Sequence, residues 1–285
     1  MPVALVTDST AYLPAELLER HGIHVVPLQV LIAGKAHDEN DVPPGVVAAA
    51  LRDRTPVTTS RPSPGAFAGM YADLASQGFD SVVSVHLSAE MSGTYASARM
   101  AADGASLPVE VVDSRSLAMG LGFAVVAAAD LLAGGAAAHE AARAAATRAA
   151  NTSACFYVDT LEHLRRGGRI GAASALVGSA LAIKPLLSLD DGRIMPRENV
   201  RTSARAIARL EEIAVELAGG DGGASARPVD VAVHHLGAPD QAAGLAARLV
   251  GRVPRLADLV EAEVGAVVGA HVGPGMLAVV VAPQP

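Results

Sequence analysis

Four short loops carry the side chains best suited to holding a ligand. Residues 55–65 read TPVTTSRPSPG, in which Thr55, Thr58, Thr59, Ser60 and Ser63 supply five hydroxyls in eleven positions. Pro56, Pro62 and Pro64 stiffen this backbone, and Arg61 is its only charge. Residues 91–95 read MSGTY, with Ser92 and Thr94 flanking Gly93 ahead of a helical pattern. Small hydroxyls and amides on rigid turns donate to anionic oxygens, and a helix N-terminus adds to that preference. A plainer reading of MSGTY is that Ser92 or Thr94 caps the helix. Residues 269–275, GAHVGPG, set His271 on a glycine-flanked turn. Gly273-Pro274-Gly275 would permit close backbone approach, although a surface histidine beside a turn fits the same letters. Residues 164–170, LRRGGRI, gather Arg165, Arg166 and Arg169, and Arg193, Arg197 and Arg201 follow. They form either a solvated face paired with Glu162 and Glu198, or a patch for a phosphate or an acidic partner.

Other chemistries are excluded. The chain has no GxxxxGK[ST] phosphate loop, no HExxH and no GxSxG elbow, and TDST stands where a dinucleotide GxGxxG would follow the first strand. His234 and His235 are adjacent, so on a strand their rings face opposite ways and make no metal pair. Cys155 is the single cysteine, which excludes an intrachain disulfide and a multi-cysteine zinc site. Its setting, SACFYV, is that of a buried core thiol. No catalytic residue and no metal ligand is assigned. The formal net charge of -7, from 22 basic and 29 acidic residues, argues against a nucleic-acid binder.

These loops need a scaffold, and 285 residues suit one large or two modest domains. Hydrophobic residues make up 51% but aromatics only 3%, so Ala, Val, Leu and Ile must build the core. Strand patterns at 3–6, 81–86 and 109–112 alternate with helical stretches at 14–18, 44–52, 64–76, 95–102 and 117–150, the last broken at Gly134-Gly135. This implies an α/β domain over 1–150, a parallel sheet with helices on both faces. Its polar clusters TDST, HLSAEMSGT and VDS follow strands, where ligands bind in open α/β sheets. Ile23 to Ile32 reads as a further extended run, and Ser63-Pro64 as a helix start.

The second half reads as a mixed-sheet α/β domain over 151–285. It has a strand at 153–158, a basic turn at 164–170, an apolar helix at 172–181 and a hairpin turning at Asp190-Asp191-Gly192. An amphipathic helix at 201–217 and a flexible loop, GGDGGASARP, follow. No uncharged apolar run of about 18 residues suggests a membrane span. The start, MPVALVTDST, lacks a basic leader region, so a cytoplasmic protein is expected.

Taken together the loops resemble one family, the DegV proteins, which include the fatty-acid-binding (FakB-type) subunits of bacterial fatty acid kinase. The matching segments, in family order, are VTDST at 6–10, TSRPS at 59–63, MSGTY at 91–95, VVDS at 111–114, LRRGGRI at 164–170, IKPLL at 183–187 and HVGPG at 271–275. The resemblance implies a two-domain α/β protein that buries a long-chain fatty acid such as palmitate between or within its lobes, with no cofactor. It implies that Thr59 and Ser92 hold the carboxyl group, with Ser60, Gly93, Thr94 and His271 around the same end. It further implies that an ATP-using kinase subunit phosphorylates the carboxyl group and docks on Arg166, Arg169 and Arg201. A monomer is expected. Arg61 stands where the family has Gln, and Met91 where it has Leu. The residues alone also fit an enzyme acting on a small phosphorylated or carboxylated metabolite with His271 as acid or base, but no partner for such a pair is legible.

Overall fold

A computed structural model of the chain describes residues 2–176, 184–219 and 227–285. Strand β1 (Val3–Asp8) is buried from Ala4 onward. Helix α1 (Ala15–His21) follows Pro14 and ends at Gly22, whose φ of 59° closes it in the left-handed region. The apolar run expected as one extended segment is two strands, β2 (His24–Val26) and β3 (Gln29–Ile32), in different sheets. Pro27 lacks the N–H needed to carry one ladder through. A two-residue turn at Ala33 and Gly34, φ 50° and 81°, leads to β4 (Lys35–Asp38). Helix α2 (Pro44–Arg52) starts on its proline, and β5 (Val57–Ser60) follows.

Helix α3 (Pro64–Ser76) is capped by Ser63, whose hydroxyl accepts the Ala66 N–H at 3.2 Å. Then come β6 (Ser81–His86), α4 (Thr94–Ala102), β7 (Val109–Asp113), α5 (Met119–Ala133) and α6 (Ala138–Ala150). Beyond them lie β8 (Ser153–Tyr157), α7 (Glu162–Arg166), β9 (Lys184–Asp190), β10 (Arg193–Val200) and α8 (Ser203–Leu217). The chain closes with β11 (Val229–His235), α9 (Pro239–Arg252), β12 (Leu256–Glu263), α10 (Ala266–Val272) and β13 (Leu277–Pro283). Three further expectations change. LRRGGRI starts inside α7 rather than as a turn. Residues 171–176 form a 3-10 helix, while 177–181 of the expected apolar helix lie outside the described residues. His271 belongs to α10, not to a turn. Of the loop GGDGGASARP, residues 220–226 also lie outside the described residues.

Among the described residues, β2, β1, β6 and β7 form one parallel sheet in that order. One face, with Ala4, Val6 and Val82, packs on Phe67, Tyr71 and Leu74 of α3 and on Ala98 and Ala101 of α4. Helices α5 and α6 lie against the same sheet from its other face. A second sheet, ordered β10-β9-β8-β13-β11-β12, is antiparallel except for β11 with β12. The hairpin between β9 and β10 turns on Asp191 and Gly192, φ 50° and 78°. Leu210, Ile213, Leu245 and Leu249 of α8 and α9 cover Val231, Val233, Val279 and Val281. Cys155 lies in this core, and burial pushes its thiol up to about 12. A third sheet joins β4, β3 and β5.

The chain packs as two compact units. The first is Met1–Gln29, Asp38–Asn40 and Thr59–Asn151; the second is Val30–His37, Asp41–Thr58 and Thr152–Pro285. In the second, Val30, Val42 and Val47 pack with Ala266 and Ala270 of α10, which ties 30–37 and 41–58 to the C-terminal half.

Strand β11 buries His234, whose Nδ1–H donates to the Ala262 carbonyl at 3.1 Å. Burial pushes this imidazole down from 6.5 to about 4. The unfolded chain therefore takes up the proton first, so the contribution is full above pH 6.5 and is lost as the pH falls toward 4. Urea denaturation at pH 7 and pH 4.5 should show stability falling with acid. His234→Gln should shrink that fall by about 2 kcal/mol.

Candidate functional site

The polar residues at the end of β1 are committed to the interior of the first unit. Asp8 is fully buried and accepts from Thr10 N–H at 3.1 Å, Thr10 Oγ1 at 2.5 Å and Leu87 N–H at 2.9 Å. It also meets His86 Nδ1 at 3.1 Å. A carboxylate only accepts, so Nδ1 carries the proton and Nε2 takes the Ser84 hydroxyl proton at 2.7 Å. Tyr71 O–H in turn donates to Ser84 Oγ at 2.9 Å. The order Tyr71, Ser84, His86, Asp8 has the logic of a nucleophile relay, but all four are buried and no substrate reaches Ser84. Ser9 donates to Glu39 at 2.5 Å and accepts Leu28 N–H at 3.0 Å. Instead of gathering at a ligand, the TDST hydroxyls fix the strand ends that position the loops.

Those loops meet in the same unit. Asp113 at the end of β7 accepts from Ala89 N–H at 3.2 Å and Arg115 N–H at 2.8 Å, and Ser88 N–H donates to the Ser116 carbonyl at 2.8 Å. This VDS turn anchors the loop that carries Ser92. Ser92 is half-buried, and its Oγ accepts Thr94 N–H at 3.3 Å and lies 2.8 Å from Thr94 Oγ1. When Thr94 donates in that pair, Ser92 keeps its own proton for an outside oxygen. Gly93 is the N-cap of α4, with no side-chain cap. On β5, Val57 and Thr59 are half-buried while Thr58 and Ser60 are exposed on the opposite face. Ser60 donates to the Arg61 carbonyl at 3.3 Å, so it is not brought to the face of Thr59. The joining contact is Arg61 against Gly93. A Cβ built on Gly93 would stand 2.5 Å from Arg61 Nη1 and 2.8 Å from its Cδ. Gly93 has an ordinary φ of -75°, so this close approach, not backbone conformation, is what asks for glycine.

The second unit holds His271. Its ring packs on Gly167 so closely that a Cβ there would overlap Nδ1. Gly273, at φ 77°, makes the same room for the His163 ring, and Gly275, at φ 87°, for the Asp159 carboxylate. The glycines of LRRGGRI and HVGPG thus clear space for two imidazoles and one carboxylate. Burial, and then the charge of Arg169, push His271 down to about 4. Burial and Arg166 likewise lower His163. Tyr157 donates to Asp159 and lies 2.7 Å from Ser203 Oγ. Lys184 Nζ sits 2.9 Å from Asp159 Oδ1 and 3.1 Å from the Asp159 carbonyl. Burial pushes the Asp159 carboxyl up, but the bonds from Tyr157 and Lys184 outweigh it and hold the group below its usual range.

The arginines divide. Arg165 forks onto Glu162 with two bonds of 2.8 Å, and Arg166 Nε reaches the same carboxylate at 2.6 Å. These bonds hold the Glu162 carboxyl down to about 2. Arg169 Nη1 donates to the Gly167 carbonyl at 2.6 Å, and Arg201 is exposed between β10 and α8. Glu198 pairs with Arg209 at 2.8 Å, so it does not neutralise this patch.

The sequence profile described as "Uncharacterised protein, DegV family" matches residues 2–284. The chain belongs to the DegV family. A DegV domain-containing protein of Streptomyces coelicolor is 59% identical over 280 residues, 98% of each chain. Among solved structures, a fatty-acid-binding DegV family protein of Thermus thermophilus matches with a TM-score of 0.91 at 32% identity, over 100% of both chains. The fatty acid binding protein DegV of Bacillus subtilis matches with a TM-score of 0.89 at 33% identity, also over 100% of both.

In this DegV chain, then, Thr59, Ser92, Gly93 and Thr94 belong to the first unit, where Arg61 draws their two loops together. His271, Arg166, Arg169 and Arg201 belong to the second. The cluster of Tyr157, Asp159, Lys184, Ser203 and His163 was not among the residues singled out by the sequence. One signal for it existed: Lys184 is one of only two lysines in the chain. Among the described residues, no helix is long and apolar enough to cross a membrane.

Proposed function

We propose that this chain binds a long-chain fatty acid, holds its carboxyl group through Thr59 and Ser92, and presents that group to a separate ATP-dependent kinase subunit. The contact of Arg61 with Gly93 carries this reading, because it brings two hydroxyl-bearing loops to one place in the first unit. The match to fatty-acid-binding DegV proteins over the whole chain supports it. Burying a methylene is worth about 0.8 kcal/mol, so the fourteen of palmitate supply about 11 kcal/mol before losses. The head group then needs orientation more than strength. Neutral hydroxyls orient a carboxylate without locking it in an ion pair. One carboxylate oxygen stays free to attack the γ-phosphorus of ATP on the partner; the new O–P bond forms as the bond to the leaving ADP oxygen breaks.

His271, in the second unit, is suited to hydrogen bonding rather than to proton transfer. With a pKa of about 4, it is neutral at pH 7 and a weak base, which disfavours an enzyme that uses it as acid or base. The chain contributes binding and presentation, not catalysis. Arg166, Arg169 and Arg201 in the second unit offer positive charge to an acidic face of the kinase subunit.

Delipidated protein should bind one palmitate per chain in a calorimetric titration. Adding an active fatty acid kinase subunit with ATP should then yield palmitoyl phosphate. No heat and no saturation would overturn the binding reading; binding without acyl phosphate would overturn the presentation step.

A further inference from the structure

We infer that Arg61 is the specificity-determining residue that makes this site select an anionic head group over a neutral one. The inference rests on the fatty-acid reading above. Arg61 is exposed, and among the described residues no carboxylate pairs with it. Several other arginines are held in ion pairs: Arg165 and Arg166 share Glu162, Arg209 meets Glu198, and Arg248 and Arg252 share Glu211. Arg61 is also the only charge in the segment 55–65.

Its stem is not free to wander. The Cδ and guanidinium lie against Gly93, which sets the charge beside the loop bearing Ser92 and Thr94, while Arg61 itself stands two residues along the chain from Thr59. From the rim of the site an exposed guanidinium adds a charged N–H donor that attracts one oxygen of a carboxylate or phosphoryl group, without a two-point clamp that would occupy both oxygens. Hydroxyls alone accept and donate, so they hold a carboxylate and an alcohol with little discrimination. The charge supplies the discrimination.

The test compares palmitate with hexadecanol, which has the same sixteen-carbon tail. In Arg61→Gln the preference for palmitate should fall about tenfold, through weaker palmitate binding with hexadecanol unchanged. Gly93→Ala is allowed by its φ and should push the guanidinium away without removing it, giving the same loss. Combining the two should add nothing further. A preference kept within about twofold in Arg61→Gln, or an equal loss for both ligands, overturns the inference while leaving the fatty-acid reading intact. A wild-type chain that binds neither ligand overturns the fatty-acid reading itself.

Discussion

Thr59→Ala combined with Ser92→Ala weakens palmitate binding about 100-fold, and each change alone about tenfold. The figure follows from the type of bond. A neutral hydroxyl donating to a carboxylate is worth about 1.5 kcal/mol at the lower end of its range, and each 1.4 kcal/mol is a factor of ten. Neither change should damage the fold. Thr59 is half-buried on β5, and Ser92 bonds within its own turn, to Thr94. The tail remains buried in the double variant, so residual binding survives. Arg61 also remains, so the double variant should still prefer palmitate to hexadecanol. Acyl phosphate formation should fall further than affinity does, because a carboxyl group held loosely is seldom aligned for transfer. Calorimetric titration of delipidated variants measures this directly, and unchanged binding in the double variant removes Thr59 and Ser92 from the site.

Asp8→Ala destabilises the chain by about 3–5 kcal/mol at pH 7. Asp8 accepts from Thr10 twice, from Leu87 and from His86, all in a region without water access. Alanine leaves those donors unsatisfied and cuts the relay of His86, Ser84 and Tyr71 from its acceptor. A domain has about 5–15 kcal/mol to lose, so the variant unfolds at low urea. Asp8→Asn keeps the shape and one acceptor oxygen and should cost less. A loss under about 1 kcal/mol in Asp8→Ala would show that the buried donors find other partners.

Much of the scaffold was legible because its signals are local. The runs at β1, β6 and β7, the Ser63-Pro64 helix start and the Asp191-Gly192 hairpin each follow from a few adjacent letters. What escaped depends on distant partners. Helix α10 hides behind the glycines of GAHVGPG and exists because Ala266 and Ala270, one turn apart, pack on Val30 and Val47. TDST reads as a ligand cluster because Ser84, His86 and Tyr71, which give Asp8 and its neighbours their inward role, lie far along the chain. Thr59 and Ser60 are adjacent hydroxyls in the sequence, yet strand alternation turns them to opposite faces. Arg61 could be recognised as a departure from family pattern, but not as the side chain that closes over Gly93.

Native mass spectrometry of the chain purified from a bacterial host tests the central claim most directly. The account predicts a species heavier than the polypeptide by one long-chain fatty acid, whose mass the extracted lipid reproduces. A clean polypeptide mass that stays unchanged after incubation with palmitate would contradict it.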